Sequence, residues 1–354
     1  MAYTTINDPT QYFNTVLYTG NNVDDRSITG VGFQPDWMWS KERNSTGNHF
    51  LVDSTRGATK VLQGNLTNDE ATVADGFQAF ESDGFQVGAA NSTNETGVNY
   101  VNWCWLANGG TTSSNTDGDI TSTVQVNSTS KFSIFTYTGN GNNLDTVGHG
   151  LGTTPDFCVI KGRSSGASGT QRWFVKVPAV CGASEILELD TTSPKSDSGN
   201  GIETMSSTTV TLGIDTGNTN GINESGLNYV GYAFASVKGY SKIGKYIGNG
   251  STDGQFVYTG FKPAWLMVKR TDSAGENWTM FDNKRDGYNV NNDMLKANVS
   301  ETEDAAGNFF DLLSNGFKVR ESAARHNASG GTYIYMAFAE NPLVGTNGIP
   351  ATAR

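Results

Sequence analysis

Three short words recur in this chain in a fixed order and at matching spacings. The first is YTGNN at 18–22, YTGNG at 137–141 and YIGNG at 246–250. The second is GFQPDW at 32–37, GTTPDF at 152–157 and GFKPAW at 260–265, each with a Lys six residues past its Pro (Lys41, Lys161, Lys269). The third is NETGVNYVNWCW at 94–105, NESGLNYVGYAF at 223–234 and NASGGTYIYMAF at 327–338. In every copy of the third word Asn precedes Gly by three residues, Gly precedes Tyr by three, and Tyr precedes the last aromatic by five. Such register makes the chain three copies of one unit of roughly 90–105 residues, and the fold must be one that a unit of that size can build.

The words themselves describe strands and turns. Gly-Asn supplies the positive φ angles of tight turns. The Pro closes a loop and suits the first residue of a strand, where its missing N–H costs nothing. The runs DWMWSK, DFCVIK and AWLMVK are short, apolar and bounded by turn signals, as buried strands are. The third word alternates, with Tyr229, Gly231 and Ala233 on one face and Val230, Tyr232 and Phe234 on the other. The one candidate helix is residues 292–303. Three β-sandwich units follow: residues 1–107, 131–240 and 241–342. A Gly/Ser/Thr linker fills 108–130, in which ITSTVQVN can pair as an edge strand, and residues 343–354 form a C-terminal arm.

Composition agrees. The chain has 43 Gly and 17 % charged residues, which suits many turns, while 11 % aromatic residues supply the apolar area that ordering requires. A net charge of −11 weighs against nucleic acid as a partner. Lys+Arg against Asp+Glu is 12 to 23 over residues 1–240 and 12 to 12 over residues 241–354. The neutral third copy and its arm are therefore the expected docking side. MAYTTINDPTQYF has no apolar signal region and no stretch reaches the ~20 apolar residues of a membrane span, so a soluble cytosolic product is expected.

Few residues carry a chemical signal. Cys104 aligns with Ala233 and Ala337, and Cys158 with Met38 and Leu266, which makes both core residues. His49, His149 and His326 stand at different places in their copies. GHGLG and GNGSTDG lack the helix and the Lys-Ser/Thr of a phosphate loop. Asp117 and Asp119 are too few for calcium. No catalytic residue, metal or cofactor is assigned. Trp37, Phe157 and Trp265 share one slot and Trp105, Phe234 and Phe338 another, as core residues would.

One element remains: FLVDSTRG at 50–57 and TMFDNKRDG at 279–287, carrying Asp53 with Arg56 and Asp282 with Arg285. As a ligand site, with Trp278 beside it, such a set would suit a sugar; as a catalytic site, Asp53 or Asp282 would serve a glycan depolymerase. The simpler reading is an Asp–Arg pair pinning a loop. The second copy has Val177 and Val180 instead, as buried ion pairs can be replaced by apolar side chains.

The combination of MAYTTINDPTQYFNTVLYTGN, GFQPDW, FLVDSTRGATK, DGFQVG, NYVNWCW, TVGHGLGTTPD and TYIYMAFAENP resembles repeat proteins encoded by marine bacteriophages, of the virion structural or tail-fibre-like kind. The match touches all three copies. It implies an all-β fold of three tandem lectin-like, jelly-roll type β-sandwich repeats in a non-enzymatic virion protein. The expected place is the tail or fibre tip, with capsid decoration as the alternative. The expected partners are other virion proteins and host surface glycan, with no nucleic acid and no membrane, and the expected state is a homo-oligomer on the particle. The absence of a secure disulfide suits assembly in a bacterial cytosol.

Overall fold

The strand Asn99–Trp105 is apolar on both sides: Tyr100 and Cys104 face one way, Val101, Trp103 and Trp105 the other, and all five are fully buried. A strand of this kind needs a packed layer on each face. The computed structural model, which describes residues 3–164, 171–214 and 221–344, supplies both layers. Beyond Val344 the expected C-terminal arm lies outside the described residues.

Helix makes up 3 % of the described residues against 44 % strand, so the architecture is one of antiparallel sheets stacked as β-sandwiches. Three large sheets share one strand order: first, last, second, third, fourth. The first runs Phe13–Thr19, Asn99–Trp105, Trp37–Glu42, Phe50–Asp53, Gly57–Gln63, with Ala71–Thr72 at its edge. The second runs Phe132–Thr138, Asn228–Phe234, Phe157–Gly162, Trp173–Lys176, Glu185–Glu188. The third runs Ser241–Ile247, Thr332–Pro342, Phe261–Arg270, Thr279–Asp282, Leu295–Lys296. Each is paired with a three-stranded sheet, and a separate apolar core fills each sandwich. We call each pair of sheets a module.

The other face of every large sheet enters a fourth core common to all three modules. Trp105, Phe234 and Phe338, at equivalent strand positions, touch one another with ring centroids 6.4 Å (Trp105–Phe234), 5.6 Å (Trp105–Phe338) and 5.8 Å (Phe234–Phe338) apart. Equivalent residues in mutual contact mark a local threefold axis. The three modules are therefore walls of one body.

The recurrent words meet inside each module. Tyr18, Tyr137 and Tyr246 of the first word stack on Tyr100, Tyr229 and Tyr333 of the third, with centroids 4.9, 5.0 and 4.9 Å apart. The Gly that follows is forced by close approach. A Cβ on Gly20, Gly139 or Gly248 would lie 2.1, 2.3 or 2.2 Å from the carbonyl oxygen of Glu95, Glu224 or Ala328. The Asn that opens the third word is fully buried and clamps this turn: Oδ1 of Asn94, Asn223 or Asn327 accepts the amide of Asn21, Asn140 or Asn249.

The linker is built into the sheets. Ser113–Asn115 and Ser122–Asn127 extend the second large sheet beside Phe132–Thr138. The buried Gln125 then donates through Nε2 to Ser54 and Thr55 of the first module, 2.9 Å each. Two expectations need correction. Residues 292–303 form no helix: Leu295–Lys296 pairs as a strand with Thr279–Asp282, because Met294 fills the sandwich core while Leu295 and Ala297 fill the common one. Pro263 lies inside Phe261–Arg270 at a bulge, since Thr332–Pro342 is long enough to continue pairing past it.

Candidate functional site

The Asp–Arg elements sit where one large sheet meets the next. In the first module Asp53 accepts from Arg56 Nε at 2.5 Å, and also from the hydroxyl of Tyr232 in the second module at 2.7 Å. Arg56 passes on to Glu70 at 2.9 Å, and Glu70 to Arg163 of the second module at 2.8 Å. In the third module Asp282 accepts from Arg285 Nε at 2.6 Å and from Trp103 Nε1 of the first module at 2.9 Å. Arg285 continues to Glu303 at 2.8 Å, and Glu303 to Arg43 of the first module at 2.7 Å. The Asp53, Arg56, Asp282 and Arg285 side chains have no exposed surface. Burial pushes the Asp282 carboxyl up, but the Arg285 guanidinium and the hydrogen bonds outweigh it and leave the group below its ordinary value. These residues face neighbouring modules, and no surface is left on them for a ligand or substrate to reach.

The third contact, between the second and third modules, is built differently. Val177, Val180 and Met336 stand where the other contacts have Asp, Arg and Tyr or Trp; Val177 and Met336 join the common core and Val180 packs against it. Lys195 and Thr271 stand where the others have Glu and Arg. The backbone bridge survives, Lys195 N to Thr271 O at 2.9 Å, matching Glu70 N to Arg163 O and Glu303 N to Arg43 O at 2.8 Å. The loss of both partners together is what burial demands, because one alone would be left unpaired.

Trp278 is likewise fully buried and donates through Nε1 to Glu188 O of the second module at 2.9 Å. Two residues at the equivalent position bond the same way. Trp173 Nε1 reaches Gln63 O at 3.0 Å and His49 Nε2 reaches Lys296 O at 2.9 Å. Since His49 Nδ1 accepts from Trp39 at 2.9 Å, Nε2 carries the ring proton. Burial pushes its pKa down to about 3, so it stays neutral. Sequence reading missed this set because the residue type changes from Trp to His.

The three recurrent lysines are buried too. Lys41 donates to Glu42 O at 2.6 Å, Lys161 to Gln171 O, and Lys269 to Glu276 O at 2.8 Å. Desolvation lowers each to about 8. The sign of the consequence is definite. Between pH 8 and the unfolded value of about 10.4, unfolded Lys keeps its proton while the folded group has shed it, so stability contributed by this group rises with pH. Lys269→Met is therefore expected to lose ground against the parent by up to about 1.4 kcal/mol per unit above pH 8. Urea unfolding of both proteins at pH 7, 8, 9 and 10 measures it, and taking the difference cancels the tyrosines and cysteines; a constant difference would contradict the shift.

On the outer surface, Phe256 and Tyr258 are exposed neighbours on Phe256–Tyr258, with Ile247 also exposed on the same module. A recess of about 370 Å³ opens beside Tyr258, lined also by Tyr3, Lys238, Lys242 and Asp156. Among the described residues, no group of three or more His, Cys, Asp or Glu side chains is placed to hold a metal.

Fold and contacts together define an all-β protein whose repeated polar residues hold sheets to one another. The chain belongs to a family described as a domain of unknown function (DUF7483), whose model matches residues 8–342. No curated protein and no solved structure matches it.

Proposed function

We propose that the chain is a non-enzymatic structural protein of a bacteriophage particle, tail-associated at the tail or fibre tip, that contacts host surface glycan or neighbouring virion proteins. The observation that carries this reading is the use made of the repeated residues. The Asp–Arg pairs and the Trp/His set lie inside the body and hold three sandwiches in one frame, and the recurrent lysines are buried within their own modules. The outer surfaces are then free to differ, as a particle component that binds through its surface requires. The likeness of the repeated words to phage virion proteins supplies the setting. A depolymerase acting through Asp53 or Asp282 fits poorly, since substrate would have to reach a carboxylate that has no exposed surface.

Immunogold labelling of the protein on intact particles tests the proposal. Label confined to the tail is the expected result. Label over the whole shell would favour capsid decoration in its place, and particles free of label would overturn the virion assignment.

A further inference from the structure

The first strand of each large sheet sends one side chain to the backbone at or just past the end of the first small-sheet strand. In the first module Asn14 Nδ2 reaches Val31 O at 3.0 Å, and in the second Ser133 Oγ reaches His149 O at 2.5 Å. The third module uses Lys242, whose Nζ reaches Tyr258 O at 2.8 Å. In the first two modules a short neutral side chain reaches a carbonyl three or two residues past the buried strand position (Ile28, Val147), whereas Lys242 reaches that of the residue directly after Val257. The residue after the buried strand position also differs: Thr29 and Gly148 follow Ile28 and Val147, whereas the exposed Tyr258 follows Val257.

Both changes converge on the recess. Lys242 Nζ lies 5.4 Å from the Tyr258 ring centroid, and Lys238 Nζ lies 4.4 Å from that of Tyr3. The Tyr3 and Tyr258 hydroxyls are 3.3 Å apart. Among the described residues neither ammonium has a carboxylate within ion-pair distance; Asp156, also on the rim, accepts the amide of Ser236 at 2.8 Å. In a chain of net charge −11, two cations on one recess with no carboxylate in ion-pair contact among the described residues are an unbalanced feature. The volume is within the range of small-molecule sites.

We propose that this recess binds an acidic saccharide, its carboxylate held by Lys238 and Lys242 and its pyranose face laid on Tyr258. An ammonium pair suits a carboxylate and an aromatic face suits the C–H face of a sugar. The proposal rests on the glycan-contacting reading above.

Isothermal titration of the full chain with oligogalacturonate, a neutral oligogalactose and a polyglutamate peptide tests it. Oligogalacturonate is expected to bind at least about tenfold more tightly than either control, the loss of one charged contact being worth about 1.4 kcal/mol or more. The variant K242N/Y258T carries the first module's residues at both positions; urea unfolding will verify that it folds, and it should lose at least about tenfold in affinity. Unchanged affinity in K242N/Y258T, or equal binding of the neutral sugar, would overturn the recess while leaving glycan contact standing. Equal binding of polyglutamate would overturn the saccharide. If no sugar on a broad array binds the chain at all, the glycan reading itself fails.

Discussion

Asp282→Ala is expected to cost about 3–5 kcal/mol of stability, the range for breaking a buried ion pair from one side. The loss comes from Arg285, which would remain fully buried with its Nε unpaired, and from Trp103, whose indole N–H would have no acceptor. The second and third modules show how the same contact is made without charge. Val177, Val180 and Met336 occupy the three positions, so D282V/R285V/W103M should recover stability to within about 1–2 kcal/mol of the parent although it removes more groups than the single change. Urea midpoints of parent, single and triple variants decide the matter. A triple variant weaker than Asp282→Ala would mean that indole packing, and not charge pairing, dominates the contact.

Asn327→Ala should rank beside it, at about 3–5 kcal/mol, since each buried group left without a partner costs about 1–3 kcal/mol and some will reach water. Its Oδ1 accepts the Asn249 amide at 2.8 Å, while Nδ2 donates to Asn249 Oδ1, Ser251 O and Glu321 O at 2.9, 2.7 and 2.9 Å. The change should loosen the turn that carries the third module's first word. Hydrogen exchange at Asn249 and Gly250 will accelerate well before exchange in Thr332–Pro342. A loss under about 1 kcal/mol, with exchange unchanged, would show that the turn holds itself without the clamp.

Much of each module was legible because its determinants are local or periodic. Asn327, Gly330 and Tyr333 keep their spacing since one turn must seat an Asn beneath the Gly-Asn word and a Tyr against Tyr246. The alternation of Val230, Tyr232 and Phe234 with Tyr229, Gly231 and Ala233 likewise announced a strand, and the structure buries both of its faces. Which surfaces meet across that second face was not legible. Tyr232 finds Asp53 at a separation of 179 residues, and nothing near either residue reports the other. Asp53, Arg56, Asp282, Arg285 and Trp278 could therefore still be read as ligand groups until the sheets were placed, although a pair pinning a loop was the simpler reading. Residues 292–303 misled for the same reason: Met294 and Leu295 serve different cores, a need that only the assembled body imposes. The recess escaped notice because Tyr3 and Tyr258 lie 255 residues apart in the chain.

The closed triangle of Trp105, Phe234 and Phe338 has a further consequence. Three separate identical subunits around such an axis would have to repeat every contact three times, so any change would be made in triplicate. Fusion into one polypeptide lifts that constraint. One seam is apolar while two are ionic, and a cationic, tyrosine-lined hollow can belong to one corner alone. The chain keeps the geometry of a trimer and is free to differ at each corner.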